Sequence, residues 1–314
     1  MKSLKNTKRK LKNTLTPYIV NYKNYKIANN HYIFADPRGG STWLMEIIKS
    51  ITNEPIIWEP LHLNKKQNPF KSLNFDWRQY IPEHEKWNEA HNVFAQLFTG
   101  KILTQDILKH NSFYNIFYSK SLLFKICRGS ALLPWLCNNF QFNYKPIYLL
   151  RHPFAVVSSQ LRHGAWNYDY SEFKLPNTPY NTIYKTHESY LKSLKTKEEN
   201  LVAMWCISNM IPLSSPNNNK KWITLTYEDL VLNPEKSIKR ILNAWDVKYN
   251  LNSINFKQNS FTTKADSPLE TTKRLSHWKT HLSPEQLQNM GKVLEYFKIT
   301  LYTSSNPLPE YSFE

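Results

Sequence analysis

The sequence predicts an α/β fold, a single domain with a central parallel sheet flanked by helices, on three observations. Short apolar runs alternate with helical patterns along the chain, and strands connected through helices form a parallel sheet covered on both faces. The first run ends in a turn holding Gly39 and Gly40, two of only six glycines, before a helix begins. At 314 residues and 41% hydrophobic, the chain can bury one full core and still carry insertions.

HYIFA, residues 31–35, is the first predicted strand, and LMEIIKSI follows as helix. EPIIWEP predicts a short buried strand ending at Glu59 and Pro60. Residues 62–120, rich in aromatics, His and Asn without a clean period, predict an irregular, partly helical insertion that forms a lid or acceptor wall. SLLFKI is the next strand and RGSALLPWLCNNF a helix; PIYLL is the clearest strand, and Pro153 opens the helix FAVVSSQLR. Residues 181–211 predict helix, and WITLT a further strand. In NPEKSIKRILNAW, Asn233 is the expected cap, Pro234 the first helical residue, and Ile238, Ile241, Leu242 and Trp245 share a face. Ser283 and Gln286 form a capping box around Pro284. With no repeat and no linker, the expected division is a basic N-terminal extension (1–30), one domain (31–300) and a C-terminal tail (301–314).

The formal charge of +17 would attract any polyanion, whether nucleic acid, anionic glycan or a multiply phosphorylated cofactor. Part of that surplus is local, because MKSLKNTKRKLKN carries no acid and reads as a solvated arm, so the global charge is a weak functional clue. No window of about 18 apolar residues is present, as a bilayer span would need, and the expectation is a soluble, cytoplasmic protein. Cys127, Cys137 and Cys206 are odd in number and have no metal-ligand spacing, which fits small apolar residues in a reducing compartment and no bound metal.

Two segments carry anion-binding chemistry. In the turn after the first strand, backbone N–H groups and the helix dipole point at one place, with Arg38 adding a planar fork of donors, Ser41 and Thr42 hydroxyls, and Trp43 a flat face. The element G-x-x-x-x-G-K-[ST] is not matched, which argues against an ordinary nucleoside triphosphate held with magnesium. The second segment places Arg151 and His152 at a strand tip, held extended by the proline after them, with Ser159 about 9 Å along the next helix.

Together these segments resemble the sulfotransferases that use 3′-phosphoadenosine 5′-phosphosulfate (PAPS). PRGGSTW is similar to the family's P-loop-like 5′-phosphosulfate turn and RHPFAVVSS to its 3′-phosphate motif, with Arg151 and Ser159 spaced as in the family. ITLTYEDLVLNPEKSIKRI resembles the following strand and helix, whose Tyr, here Tyr227, lies near the adenine. KRLSHWKTHLSPEQL resembles the late basic loop over the 3′-phosphate, which brings in Lys273 and Arg274, although Leu275 and Ser276 stand where the small-molecule branch has glycine nearby. The similarity runs in order from about residue 31 to residue 298.

The resemblance implies the sulfotransferase fold, a cofactor site of Arg38, Gly39, Gly40, Ser41, Thr42, Trp43, Arg151, Ser159, Tyr227, Lys273 and Arg274, and sulfuryl transfer without a metal. Trp43 would stack on the adenine. Where cytosolic small-molecule members carry a catalytic His, FKIC places Cys127, a poor base, whereas IIWEPLH resembles the Glu-Pro stretch of carbohydrate sulfotransferases. Glu59 is then either the general base or an ion-pair partner that holds the site, and His62 is the second base candidate. Lys125 is placed to touch the transferring sulfate or to form a salt bridge, and Arg128 to meet an anionic acceptor. The expected activity is transfer to a carbohydrate hydroxyl. The alternatives are a small phenol or alcohol acceptor, a nucleotide-type kinase, or a non-catalytic polyanion-binding protein; no nucleic-acid partner is expected.

Overall fold

The computed structural model describes residues 16–65, 67–166, 172–256 and 271–313. Its first half runs β1 (His31–Ala35), α1 (Ser41–Thr52), β2 (Ile56–Trp58), α2 (Asn88–Phe98), β3 (Leu123–Cys127), α3 (Leu133–Asn139) and β4 (Ile147–Leu150). The second half runs α4 (Pro153–His163), α5 (Lys197–Ser214), β5 (Ile223–Thr226), α6 (Tyr227–Leu232), α7 (Pro234–Ala244), α8 (Thr271–Ser276) and α9 (Pro284–Tyr296), with single helical turns between several of these. The five strands form one sheet in the order β2-β3-β1-β4-β5, with every pair parallel.

Successive strand residues face opposite sides, so each strand feeds two cores. Tyr32, Phe34, Phe124, Ile126 and Tyr148 pack on one face, and Ile33, Ala35, Leu123, Ile147 and Leu225 on the other. Burial on both faces is why these strands read as apolar runs. The fully buried Trp135, Trp205 and Trp222 each add about 2 kcal/mol or more of burial free energy.

Several expectations are corrected. The 62–120 insertion is in large part core: Ala90, Phe94, Leu97 and Phe98 are buried, and this helical spacing is a period the irregular reading overlooked. The predicted helix over 181–211 is three pieces. Leu194 is extended, and Thr196 and Glu199 form a reciprocal capping box that starts α5 afresh. Asn233 makes no side-chain cap, because it also ends α6 with ψ of 62°, and Pro234 with its fixed φ opens α7. The Ser283–Gln286 box of α9 is present. Of the expected N-terminal extension, residues 1–15 lie outside the described residues, while Val20 and Tyr25 are buried. Of the expected tail, Leu301 and Tyr302 are buried, and the Tyr302 hydroxyl donates to Glu228 at 2.9 Å. Among the described residues no helix is long and apolar enough to cross a membrane.

Candidate active site

A cavity of about 890 Å³ opens across the carboxyl ends of all five strands, the edge where open parallel sheets bind ligands. Glu59 follows β2, Arg128 follows β3, the turn 36–40 follows β1, Arg151 follows β4 and Tyr227 follows β5, and the cavity touches every one of these tips. Arg38, Glu59 and Arg128, each just beyond a strand tip, have positive φ of 73°, 45° and 70°. Such φ values in non-glycine residues carry strain that surrounding contacts must hold, and three of them at adjacent tips mark the region as specialised.

The β1 turn is built around Gly40. Its φ is 88°, and a Cβ there would lie 2.3 Å from Cδ2 of Tyr227, so only glycine fits. Gly39 N donates to Asp36 O at 2.9 Å, and α1 starts with no side-chain cap, leaving its positive end to a ligand. Asp36 is buried and paired with Arg78 at 3.3 Å, which ties the 62–120 segment to the base of the turn.

The two sequence motifs meet. Arg38 Nε donates to Ser159 Oγ at 2.9 Å, and Arg151 Nη1 donates to Arg38 O at 2.9 Å. Arg151 lies 4.5 Å from the centre of the Tyr227 ring, and Arg274 lies 5.6 Å and 5.7 Å from those of Trp43 and Tyr227. Trp43 and Tyr227 stand edge-on at 6.3 Å. Burial, then the charges of Arg151 and Arg162, push the Arg38 pKa down. Arg151 Nε and Ser158 Oγ are buried with no hydrogen-bond partner. Crowded guanidinium groups with open donors are the electrostatic signature of a phosphate site.

Beside it, Glu59 accepts from Lys125 Nζ at 2.5 Å and pairs with Arg128 at 3.5 Å. Burial alone would raise the Glu59 pKa, but Lys125 and then Arg128 outweigh it and bring it to about 2. Lys125 also rests 3.9 Å from the Trp58 ring and donates to Cys127 Sγ at 3.4 Å, while Arg128 covers Trp77 at 4.7 Å. The aromatic faces expected for an acceptor are therefore in part occupied by cations. His62 lines the cavity half-buried; its Nδ1 has no hydrogen-bond partner, and burial, then Arg128, push its pKa down.

Most predicted positions converge here: Arg38, Gly40, Ser41, Thr42, Trp43, Glu59, His62, Lys125, Arg128, Arg151, Ser159, Tyr227 and Arg274 line the cavity. Gly39 shapes the turn from behind, and Lys273 is exposed and does not line the cavity. His152, expected at the ligand edge, is fully buried away from it. Its Nδ1 accepts from Phe154 N, its Nε2 lies 3.1 Å from Thr303 O and 3.0 Å from Asn306 O, and burial lowers its pKa to about 3. The sequence reading missed Lys65, Asp106, Lys109 and Arg162, all of which line the cavity. Arg162 had a local signal, one turn beyond Ser159 on the same helix face.

The family model for the sulfotransferase domain matches residues 30–301. A Caenorhabditis briggsae relative described as "Putative protein-tyrosine sulfotransferase" is 23% identical over 211 residues, covering 60% of this chain and 67% of its own. Among solved structures, the sulfotransferase domain from the olefin synthase of Synechococcus PCC 7002 aligns over 89% of this chain and 97% of its own, with 16% identity and a TM-score of 0.46. A mouse sulfotransferase complexed with PAP aligns over 90% of this chain and 88% of its own, with 14% identity and a TM-score of 0.43.

Proposed function

Because the chain belongs to the sulfotransferase domain family and is a PAPS-dependent transferase, we propose that it sulfates a carbohydrate hydroxyl, using the β1 and β4 motifs for the cofactor. The observation that carries the cofactor assignment is the meeting of Arg38, Arg151 and Ser159 beside a turn whose Gly40 leaves no room for a Cβ. The open donors fit an anionic group: Arg151 Nε is unpartnered, and α1 presents uncapped N–H groups. Bound PAPS would supply an activated sulfuryl group. Arg38 and the turn would hold its phosphosulfate, Arg151 and Ser159 its 3′-phosphate, and Tyr227, Trp43 and Arg274 would flank its base. These donors are fixed before charge develops, which is how such a site lowers a barrier.

The acceptor's proton goes to His62 in this reading. A carboxylate held at about 2 by Lys125 is a weak base, whereas an imidazole pushed below its ordinary value is neutral at pH 7 and ready to accept. Glu59 keeps Lys125 and Arg128 in place at the reacting end. The charged and polar lining of the acceptor end, with Asn64, Lys65, Asp106 and Lys109, supports a hydrated sugar over an apolar phenol. A tyrosine phenol in a peptide is the second reading, favoured by the name of the Caenorhabditis briggsae relative.

Transfer of labelled sulfate from PAPS to a panel of oligosaccharides and tyrosine peptides, without metal, tests both readings. Sugar labelling that falls about a hundredfold in kcat for His62→Asn, with unchanged binding of adenosine 3′,5′-bisphosphate (PAP), supports the first. Labelling of the peptides alone overturns the carbohydrate assignment.

A further inference from the structure

We infer that the β2 end of the cavity is an acceptor subsite for a carboxylate, with Lys65 and Lys109 holding a uronate sugar next to the hydroxyl that is sulfated. This rests on the sulfotransferase reading above, and it narrows the acceptor to an acidic sugar. Lys65 Nζ donates to the Trp58 carbonyl, which uses one of its three protons. Neither Lys65 nor Lys109 has an ion-pair partner within 4 Å among the described residues. Of the two carboxylates in the lining, Glu59 is already taken by Lys125 and Arg128, which leaves Asp106 against Lys65 and Lys109.

The cofactor's 3′-phosphate does not account for these lysines. β2 and β4 are three strand spacings apart in the sheet, roughly 14 Å, so the β2 tip is too far from Arg151 to share its phosphate. Eight Lys and Arg side chains line the cavity against two carboxylates, whereas PAPS would bring only about four negative charges. Lys65 lies at the β2 end of this lining. Burial brings its pKa down to about 8, with Lys109 and Lys125 adding to the fall against Glu59 and Asp106. An ammonium that is partly desolvated and has donors to spare gains from an incoming anion.

The test is calorimetric titration of the full chain, saturated with PAP, with cellobiose and with cellobiouronic acid, which differ by one carboxylate. The inference predicts a preference for the acid of about tenfold, lost in Lys65→Gln and retained in Lys65→Arg. PAP affinity serves as the folding control in each variant. Equal binding of both sugars, or a preference that survives Lys65→Gln, overturns the subsite. A matched pair of acidic and amide tyrosine peptides forms a third arm, and a Lys65-dependent preference seen there but not with the sugars overturns the uronate assignment. Failure of PAP to bind the intact chain would instead contradict the underlying sulfotransferase reading.

Discussion

At the β4 end of the cavity, the charged groups are locked by contacts between strand tips and the helices that follow them, as Arg38 is by Ser159 and Arg151 is by the Arg38 carbonyl. At the β2 end, Lys65 and Lys109 come from a segment whose other residues build the core, and no carboxylate holds either of them among the described residues. The Glu59–Lys125–Arg128 cluster stands at the β2 and β3 tips, on the Lys65 side of the cavity. A site made this way has one half shaped in advance for a fixed ligand and another half whose positive charge is left for a ligand to neutralise. The first suits a cofactor common to a family, the second an acceptor particular to this chain.

The contrast breaks first at Gly40. Gly40→Ala puts a methyl group into the Tyr227 ring at a positive φ, and the expected loss is about 4 kcal/mol of stability together with PAP binding, read by denaturant unfolding and calorimetry. Glu59→Gln probes the cluster at the β2 and β3 tips. At pH 7 it strands buried Lys125, at an expected cost on the order of 3 kcal/mol. Because the folded pKa of Glu59 is depressed, its contribution is fully present above the ordinary value of 4.5 and is lost as pH falls toward 2. The stability gap between the wild type and Glu59→Gln should therefore close across that interval in urea titrations. At the smallest scale, Arg274→Ala should weaken PAP binding by about 1 kcal/mol through the lost Trp43 and Tyr227 contacts. Exposed Lys273→Ala should stay within about 0.5 kcal/mol.

The same contrast governs what the sequence reveals. β1 and β4 are legible because they are buried on both faces and are followed within a few residues by Gly39-Gly40 and by His152-Pro153, whose backbone preferences fix a turn and a strand tip. Arg38, Arg151 and Ser159 stand out as candidates for that reason, and the structure brings them together. The Asp36–Arg78 pair and the Lys65–Lys109 grouping join residues far apart in the chain, and no local pattern encodes them. The break before α5 was encoded, in Thr196 and Glu199, but a long apolar helical pattern around it masked the stop. The pairing of Glu59 with Lys125 and Arg128 depends on where those side chains point in the packed sheet, which no local pattern encodes.

The most direct test of the account is titration of the intact chain and Arg151→Ala with PAP and with ADP, both without metal. The predicted result is a preference for PAP of roughly a hundredfold in the intact chain, lost when Arg151 is removed. Equal, weak binding of the two nucleotides by the intact chain would contradict it, because the β1 and β4 motifs would then not act as one cofactor site.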